Sequence, residues 1–142
     1  MTSAPETRTT PRVVVAFDRP DRRYEPGQPL DVRYEIDGLG GERPTAIEQS
    51  VLWYTEGKGE EDLGVHFFNR ITAREALEPA AAAGSFATVL PASPLSYEGL
   101  IVKIRWCVRI RIFFAGGRDF VSEHTFDVGD IPAVRMAVDS PA

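Results

Sequence analysis

Residues 55–62, TEGKGEED, combine glycine, lysine and acids in the way that phosphate and metal sites do. A phosphate-binding P-loop needs G-x-x-x-x-G-K-[S/T] between a strand and a helix, because backbone N–H groups and the helix N-terminus hold the anion. Here Lys58 lies between two glycines, and no Ser or Thr follows it. Glu60, Glu61 and Asp62 would also repel a phosphate. The spacing therefore argues against a P-loop.

The same segment offers carboxylates for a cation. An EF-hand calcium loop needs oxygen ligands at alternating positions over twelve residues, ending in Glu, and that pattern is absent. A looser calcium or small-ligand site remains the alternative function, with four candidate acids: Glu56, Glu60, Glu61 and Asp62. The favoured interpretation is a charged glycine turn between two strands, which is compatible with an acidic contact to a protein partner.

Cys107 is a candidate nucleophile, because Arg105 and Arg109 share its strand face and could lower the thiol pKa. A thiol enzyme needs a base as well, and nothing places His66 or His124 beside Cys107. A single cysteine cannot form an internal disulfide, and no Cys/His cluster has zinc-site spacing. We therefore expect neither a catalytic site nor a cofactor or metal, and a thiol enzyme is the weaker alternative.

Four cations alternate with apolar residues along the longest predicted strand: Lys103, Arg105, Arg109 and Arg111. Such a row invites an acidic partner, but the strand returns through residues 115–117 (AGG) to a segment that carries acids of its own. A cross-strand pairing of these charges is favoured, and a basic sheet face for an acidic partner is the alternative.

The length of this turn decides which charges meet. A two-residue turn would place Glu123 and Asp127 on the core face, so an odd-numbered turn is expected. A three-residue turn puts Arg109 opposite Glu123 and Arg105 opposite Asp127. A five-residue turn instead puts Arg111 opposite Glu123.

Alternation of apolar and polar residues predicts the strands that position these candidate residues. Strands are expected over residues 12–17, 30–36, 47–54, 63–71, 85–90, 101–114 and 119–128. Helix propensity is concentrated in residues 72–83, where Pro79 interrupts it, so we expect a loop with at most a short helical turn. This pattern is typical of an all-β, antiparallel immunoglobulin-like sandwich of about seven to eight strands.

The strand phases also predict faces. Leu63, Val65 and Phe67 are expected on one face of their strand, and His66 and Phe68 on the other. Most aromatic residues fall on apolar faces and are expected in the core. Tyr54, Phe68 and Phe113 fall on the opposite phase, where uncovered aromatics would mark an interface.

Composition limits the class of protein. The 142 residues fit one domain, and 16 Lys plus Arg against 21 Asp plus Glu give a net charge of −5, which argues against nucleic-acid binding. No apolar run approaches the roughly 20 residues of a membrane-spanning helix, and no signal peptide is evident. We expect a cytoplasmic protein with a flexible arm over residues 1–11, one domain over 12–132 and a tail over 133–142.

Three segments carry a resemblance to a known family. Residues 24–30 (YEPGQPL), residues 84–99 (GSFATVLPASPLSYEG) and the long strand 101–114 follow the motif order of arrestin-like domains. The chain resembles one arrestin-type half, over residues 12–128, where members of the superfamily usually have two. The resemblance implies an arrestin-like β-sandwich and a non-catalytic scaffold or adaptor that binds other proteins.

The sequence thus predicts a non-enzymatic adaptor or assembly subunit that binds through a sheet edge or face. The partner is an unidentified protein, and a homo-oligomer is possible. Neither nucleic-acid binding nor membrane insertion is expected. The candidate partner contacts are Tyr54, Phe68, Lys103, Arg105, Arg109, Arg111, Glu60, Glu61 and Asp62.

Overall fold

The computed structural model describes residues 10–59 and 61–129, which form nine strands and one helix. Most of the predicted arm, the whole predicted tail and Glu60 lie outside the described residues. The elements follow in the order β1 (Arg12–Phe17), β2 (Arg23–Tyr24), β3 (Pro29–Asp37), β4 (Ala46–Gly57), β5 (Leu63–Ile71), α1 (Arg74–Ala80), β6 (Ala83–Val89), β7 (Tyr97–Glu98), β8 (Val102–Phe113) and β9 (Asp119–Val128). The seven predicted strands are present, and two strands of two residues each are added.

The strands form two sheets. The small sheet has the order β1-β3-β6, and the large sheet has the order β2-β9-β8-β4-β5, with β7 paired to β8. All pairings are antiparallel except that of β2 with β9. The core contains residues of both sheets, so the molecule is an all-β sandwich, as the alternating pattern predicts.

Period-two alternation places the core side chains. In β3 the inward residues are buried and every outward one is exposed. In β8 the inward residues from Trp106 to Ile112 are fully buried, and the indole N–H of Trp106 donates to the carbonyl of Pro94 at 2.9 Å. We call the side of the large sheet that packs on this core its inner face, and the opposite side its outer face.

A chain of hydrogen bonds crosses the core between the sheets. The Tyr34 hydroxyl of β3 donates to the Ala80 carbonyl at 3.2 Å and accepts from Gln49 Nε2 at 2.9 Å. Gln49 Oε1 in turn accepts from Asn69 Nδ2 at 3.1 Å. These bonds satisfy the buried polar groups of Tyr34 and Gln49, which would otherwise destabilise the folded state.

Helix α1 is longer than the single helical turn expected for this region, since it has seven residues. Leu77 and Ala80 are buried against the core, and Pro79 lies near the end of the helix. Tertiary burial therefore extends the helix beyond one turn, and the helix ends one residue after Pro79. Within the part of the chain that is described, no helix is long and apolar enough to cross a membrane.

The predicted faces of β5 are wrong in its first half. Val51 pairs with Phe67 and Leu52 pairs with Val65, so His66 is the extra residue of a β-bulge. The bulge shifts the alternation, and Leu63 and Val65 therefore lie on the outer face with Phe68. His66 lies on the inner side, where its Nε2 is 2.7 Å from the Val89 carbonyl of β6. The extra residue of the bulge is the physical reason for the shift, and the His66 contact joins the two sheets at this point.

Candidate functional site

The β8–β9 hairpin has the three-residue turn. The N–H of Phe114 donates to the carbonyl of Arg118 at 2.8 Å, and Arg109 lies opposite Glu123. Arg109 Nη2 and Glu123 Oε2 are 2.6 Å apart, which is the ion pair predicted for this turn length. The five-residue alternative is wrong. The expected pairing of Arg105 with Asp127 is also absent, because β8 and β9 stop pairing at Trp106 and Phe126.

The other cations of the row find carboxylates as well. Arg111 Nε lies 2.6 Å from Asp119 Oδ2, and Lys103 Nζ lies 3.3 Å from Glu98 Oε1. Arg105 Nε lies 2.5 Å from Glu56 Oε1, a hydrogen bond that raises the pKa of the guanidinium. Every cation of the row is therefore neutralised by a neighbouring strand, which removes the net positive charge that would attract an acidic partner.

Cys107 lies between these ion pairs on the outer face but is completely buried. Burial, with a smaller contribution from the Glu123 carboxylate, raises the pKa of its thiol to about 12, although Arg109 acts in the opposite direction. The expectation that Arg105 and Arg109 lower this pKa is wrong, because desolvation of the thiolate outweighs their attraction. His124 lies opposite Val108 on the inner face, as the odd-numbered turn predicts.

Ser122 and His124 form a pair that the sequence did not reveal. Both lie on the inner face of β9, and Ser122 Oγ is 2.6 Å from His124 Nε2. Burial and, to a smaller extent, Arg22 lower the pKa of His124. Among the described residues no carboxylate hydrogen-bonds to this imidazole, so the pair lacks the acid that orients the base in a catalytic triad.

The acidic glycine segment is built mainly as a strand end. β4 continues to Gly57, whose φ of +131° favours glycine, and a Cβ there would collide with the Ile101 carbonyl. Thr55 N–H donates to the Asp62 carbonyl at 3.0 Å, and Asp62 N–H donates to Thr55 Oγ1 at 2.8 Å. Within residues 10–59 and 61–129, no cluster of three or more His, Cys, Asp or Glu could hold a metal ion.

The outer face at β5 carries an exposed apolar row, which we define as Leu63, Val65 and Phe68. Their exposed fractions are 54%, 53% and 54%. In the described chain β5 pairs only with β4, so the backbone groups along its other edge have no strand partner. The row therefore combines exposed apolar side chains with an open sheet edge, two features that attract an extended segment.

The three outward aromatics predicted as interface candidates differ in exposure. Phe68 is exposed, Tyr54 is half-buried, and Phe113 is half-buried with the guanidinium groups of Arg70 and Arg111 each 4.8 Å from its ring centroid. The cation–π contacts shield Phe113 from a partner. Leu63 and Val65 were assigned to the wrong face, and the only hint of the bulge in the sequence is the adjacent Phe67 and Phe68, which break strict alternation.

Two open depressions lie elsewhere. One, of about 460 Å³, lies beyond the last β8–β9 pair, where Arg105 was expected to meet Asp127, and it is lined by equal numbers of basic and acidic residues. The other, of about 630 Å³, lies beside α1 over Leu39 and Leu77. Neither brings a nucleophile and a base together.

No protein-family model and no curated protein matches the chain. Among solved structures it is similar to Spo0M, a sporulation control protein from Bacillus subtilis, with a TM-score of 0.53 and 13% sequence identity. The match covers 84% of this chain and 49% of Spo0M, so the chain spans about half the length of that protein. At this identity the likeness concerns the fold, and it supports the arrestin-like β-sandwich expected from the motif order.

Proposed function

We propose that this chain is a single-domain, cytoplasmic adaptor or assembly subunit that binds protein through the β5 edge and the adjoining outer face of the large sheet, and that it performs no catalysis. The observation that carries the proposal is the exposed apolar row of Leu63, Val65 and Phe68 on an edge strand. Exposed apolar residues beside an open edge favour the addition of an extended segment as a further strand.

Edge strands are commonly protected by lysine, proline, an inward charge or a β-bulge. β5 contains no lysine and no proline, and its only charged residue is Arg70, whose Nη1 lies 2.5 Å from Glu48 Oε2 of β4. The bulge at His66 bends the strand locally but leaves the apolar row exposed. We infer from this weak protection that the edge is kept open for binding.

The remaining candidate contacts surround this edge in the proposal. Tyr54 and the four ion-paired cations share the outer face with Phe68, and Glu61 and Asp62 immediately precede β5. In this arrangement the apolar row supplies most of the binding energy, and the ion pairs supply orientation at the rim. The calcium alternative has less support than the protein-binding role, because Glu56 is engaged by Arg105 and no metal-holding cluster lies within the described residues.

The absence of catalysis in the proposal is supported by the state of the nucleophiles. The Cys107 thiol is buried with a raised pKa, and no carboxylate orients the Ser122–His124 pair in the described residues. A reactive thiol needs exposure and a lowered pKa, and neither condition is met.

The proposal is tested by chemical cross-linking in a native lysate, followed by mass spectrometry of the bound peptides. We expect cross-links between a protein partner and residues near β5, and we expect Phe68→Lys to remove them. Val121→Lys is the matched control, because Val121 is 44% exposed on β9, away from β5 in the same sheet. Cross-links that survive Phe68→Lys unchanged would reject the β5 edge as the binding surface.

A further inference from the structure

We propose that the strand added to β5 is β5 of a second copy of this chain, paired antiparallel about a two-fold axis so that the two large sheets become one continuous sheet. This inference rests on the proposed function, because it takes the β5 edge as the binding surface and identifies what binds there. It is argued from the charge of the edge and from the register that the bulge permits.

The charge of the edge suits an identical partner. Each chain carries a net charge of −5, so two copies repel one another over most of their surfaces. β5 carries only Arg70, which Glu48 already neutralises at 2.5 Å. Two copies can therefore meet along β5 without bringing like charges together, whereas a partner selected for its charge would find little to recognise on this strand.

The bulge selects a register. Opposite residues of an antiparallel pair point to the same face, and two identical regular strands related by a two-fold axis normally place a residue opposite itself or opposite one of its own phase. In β5 both His66 and Phe67 lie on the inner side, while Val65 and Phe68 lie on the outer side. For pairing along the whole strand, the two-fold axis therefore passes between His66 and Phe67, so that each lies opposite the other residue of the second copy.

This register matches faces along the whole strand. Phe68 lies opposite Val65 of the second copy, and Arg70 lies opposite Leu63, all on the outer face. Asn69 lies opposite Gly64 on the inner side. A shift by one or two residues in either direction places an outward residue opposite an inward one. Only this register matches faces over residues 63–70, because the bulge lies at its centre. A shorter pairing of residues 67–71 about Asn69 also matches faces, but it leaves Leu63 and Val65 uncovered.

The register also brings the apolar row together with its copy. The Phe68–Val65 contact occurs twice, once on each side of the axis, so four exposed apolar side chains form one patch. Leu63 of each copy extends the patch beneath the aliphatic stem of Arg70 of the other. Aromatic and β-branched pairs of this kind stabilise antiparallel sheets. The pairing therefore covers the three residues that are exposed in the single chain.

Sedimentation equilibrium of the full 142-residue chain, over a concentration series that reaches the high-micromolar range, tests the proposal. We expect the mass to rise with concentration from 15.7 kDa toward twice that value. Val65→Lys and Phe68→Lys should hold the mass at that of one chain, since each would place an ammonium group in the apolar patch. Val121→Lys should dimerise like the wild type.

A thermal melt of each variant separates lost pairing from lost folding, and little change is expected at these half-exposed positions. A wild type that stays monomeric at every concentration overturns the proposal. Dimerisation that persists unchanged in Val65→Lys and Phe68→Lys also overturns it.

A disulfide experiment reads the register itself. Opposite residues in an antiparallel pair have Cα atoms about 4.5–5.5 Å apart, which is within disulfide range. An equimolar mixture of Val65→Cys and Phe68→Cys chains should therefore form a covalent dimer on mild oxidation, and either variant alone should form far less. The native Cys107 does not compete, because it is buried. Equal cross-linking by the single variants and the mixture would exclude this register.

The two proposals fail in different ways. If the chain is monomeric but Phe68→Lys still abolishes binding of another protein, β5 remains a binding surface and the dimer proposal is rejected. If the chain forms a dimer that depends on β5 but cross-links to no other protein, the dimer proposal stands and the adaptor role is rejected.

Discussion

The outward residues of the small sheet and of the large sheet differ in exposure. In β3 of the small sheet, inward residues such as Leu30 are buried and outward residues such as Asp31 are exposed. In the large sheet Leu52 and Cys107 lie opposite one another on the outer face, yet only 1% and 0% of their surfaces are exposed. The difference shows that facing away from the core does not leave a residue of this sheet in water.

On the outer face of the large sheet, long polar residues neighbour the buried apolar ones. Leu52 is followed two residues later by Tyr54, and Cys107 lies beside the Arg109–Glu123 ion pair. The carbon stems of such residues cover apolar surface while their charged ends remain hydrated. At β5 this covering ends, and the apolar row is exposed. Burial in the small sheet should therefore be rigid, and burial on the outer face of the large sheet should be adaptable.

The largest expected effect is on the small sheet. Leu30→Ala should lower the free energy of unfolding by about 2–5 kcal/mol, because it removes a completely buried side chain from a packed core. Asp31→Ala, at the next position and exposed, should change it by less than about 0.5 kcal/mol. Urea titration followed by tryptophan fluorescence measures both, and similar costs for the two would contradict the simple alternation of β3.

Leu52→Ala is the matching change on the outer face. We expect a cost of about 2 kcal/mol, below that of Leu30→Ala, because a partly exposed neighbour such as Tyr54 can move into the space more easily than a core residue can. The same urea titration applies. A cost as large as that of Leu30→Ala would show that the outer face is packed as rigidly as the core, and no cost would show that Leu52 is not covered.

Cys107 makes the burial of the outer face dependent on pH. Its pKa rises from an ordinary value of 9.0 to about 12 in the folded chain, so between these values the unfolded chain releases the thiol proton while the folded chain keeps it. The unfolded state then gains stability as pH rises, and the free energy of unfolding should fall by up to about 1.4 kcal/mol per pH unit in that range.

Cys107→Ala is the control for this pH dependence. Tyr24, Tyr34 and Tyr54 also have raised pKa values and act in the same direction above pH 10, and the substitution leaves all three in place. Cys107 contributes to the raised pKa of Tyr54, so the comparison is made at or below pH 10. The difference in unfolding free energy between the two chains should therefore change from pH 8 to pH 10. A constant difference would mean that the thiol is not desolvated.

The smallest effect concerns the ion pairs of the outer face. A double-mutant cycle on Arg109→Ala and Glu123→Ala should give a coupling free energy of about 0.2–1 kcal/mol, because both side chains are partly exposed and solvent screens them. The coupling should shrink as salt is added. A coupling that is unchanged by salt would indicate that this pair is more deeply desolvated than its exposure suggests.

The face on which many strand residues lie could be predicted from the local alternation of apolar and polar residues. The faces of β3 follow from strict alternation, and the odd-numbered turn of the β8–β9 hairpin follows from the cost of burying Glu123 and Asp127. That cost does not separate a three-residue turn from a five-residue turn. In both cases the deciding quantity is whether a given residue type can leave water, and that is a property of the residue itself. The immunoglobulin-like sandwich follows from the number and order of such strands, and the arrestin-like fold was implied by the motif resemblance.

The exposed row on β5 could not be predicted in this way. Its position depends on the bulge at His66, which is associated with a hydrogen bond to the Val89 carbonyl on the other sheet. The partner of Arg105 and the raised pKa of Cys107 likewise depend on residues from distant strands. Alternation and the chemistry of each side chain thus determined the strands, most of their core faces and the odd-numbered turn of one hairpin. Only the tertiary structure decided which outward residues are covered, because coverage depends on neighbours that are remote in the chain.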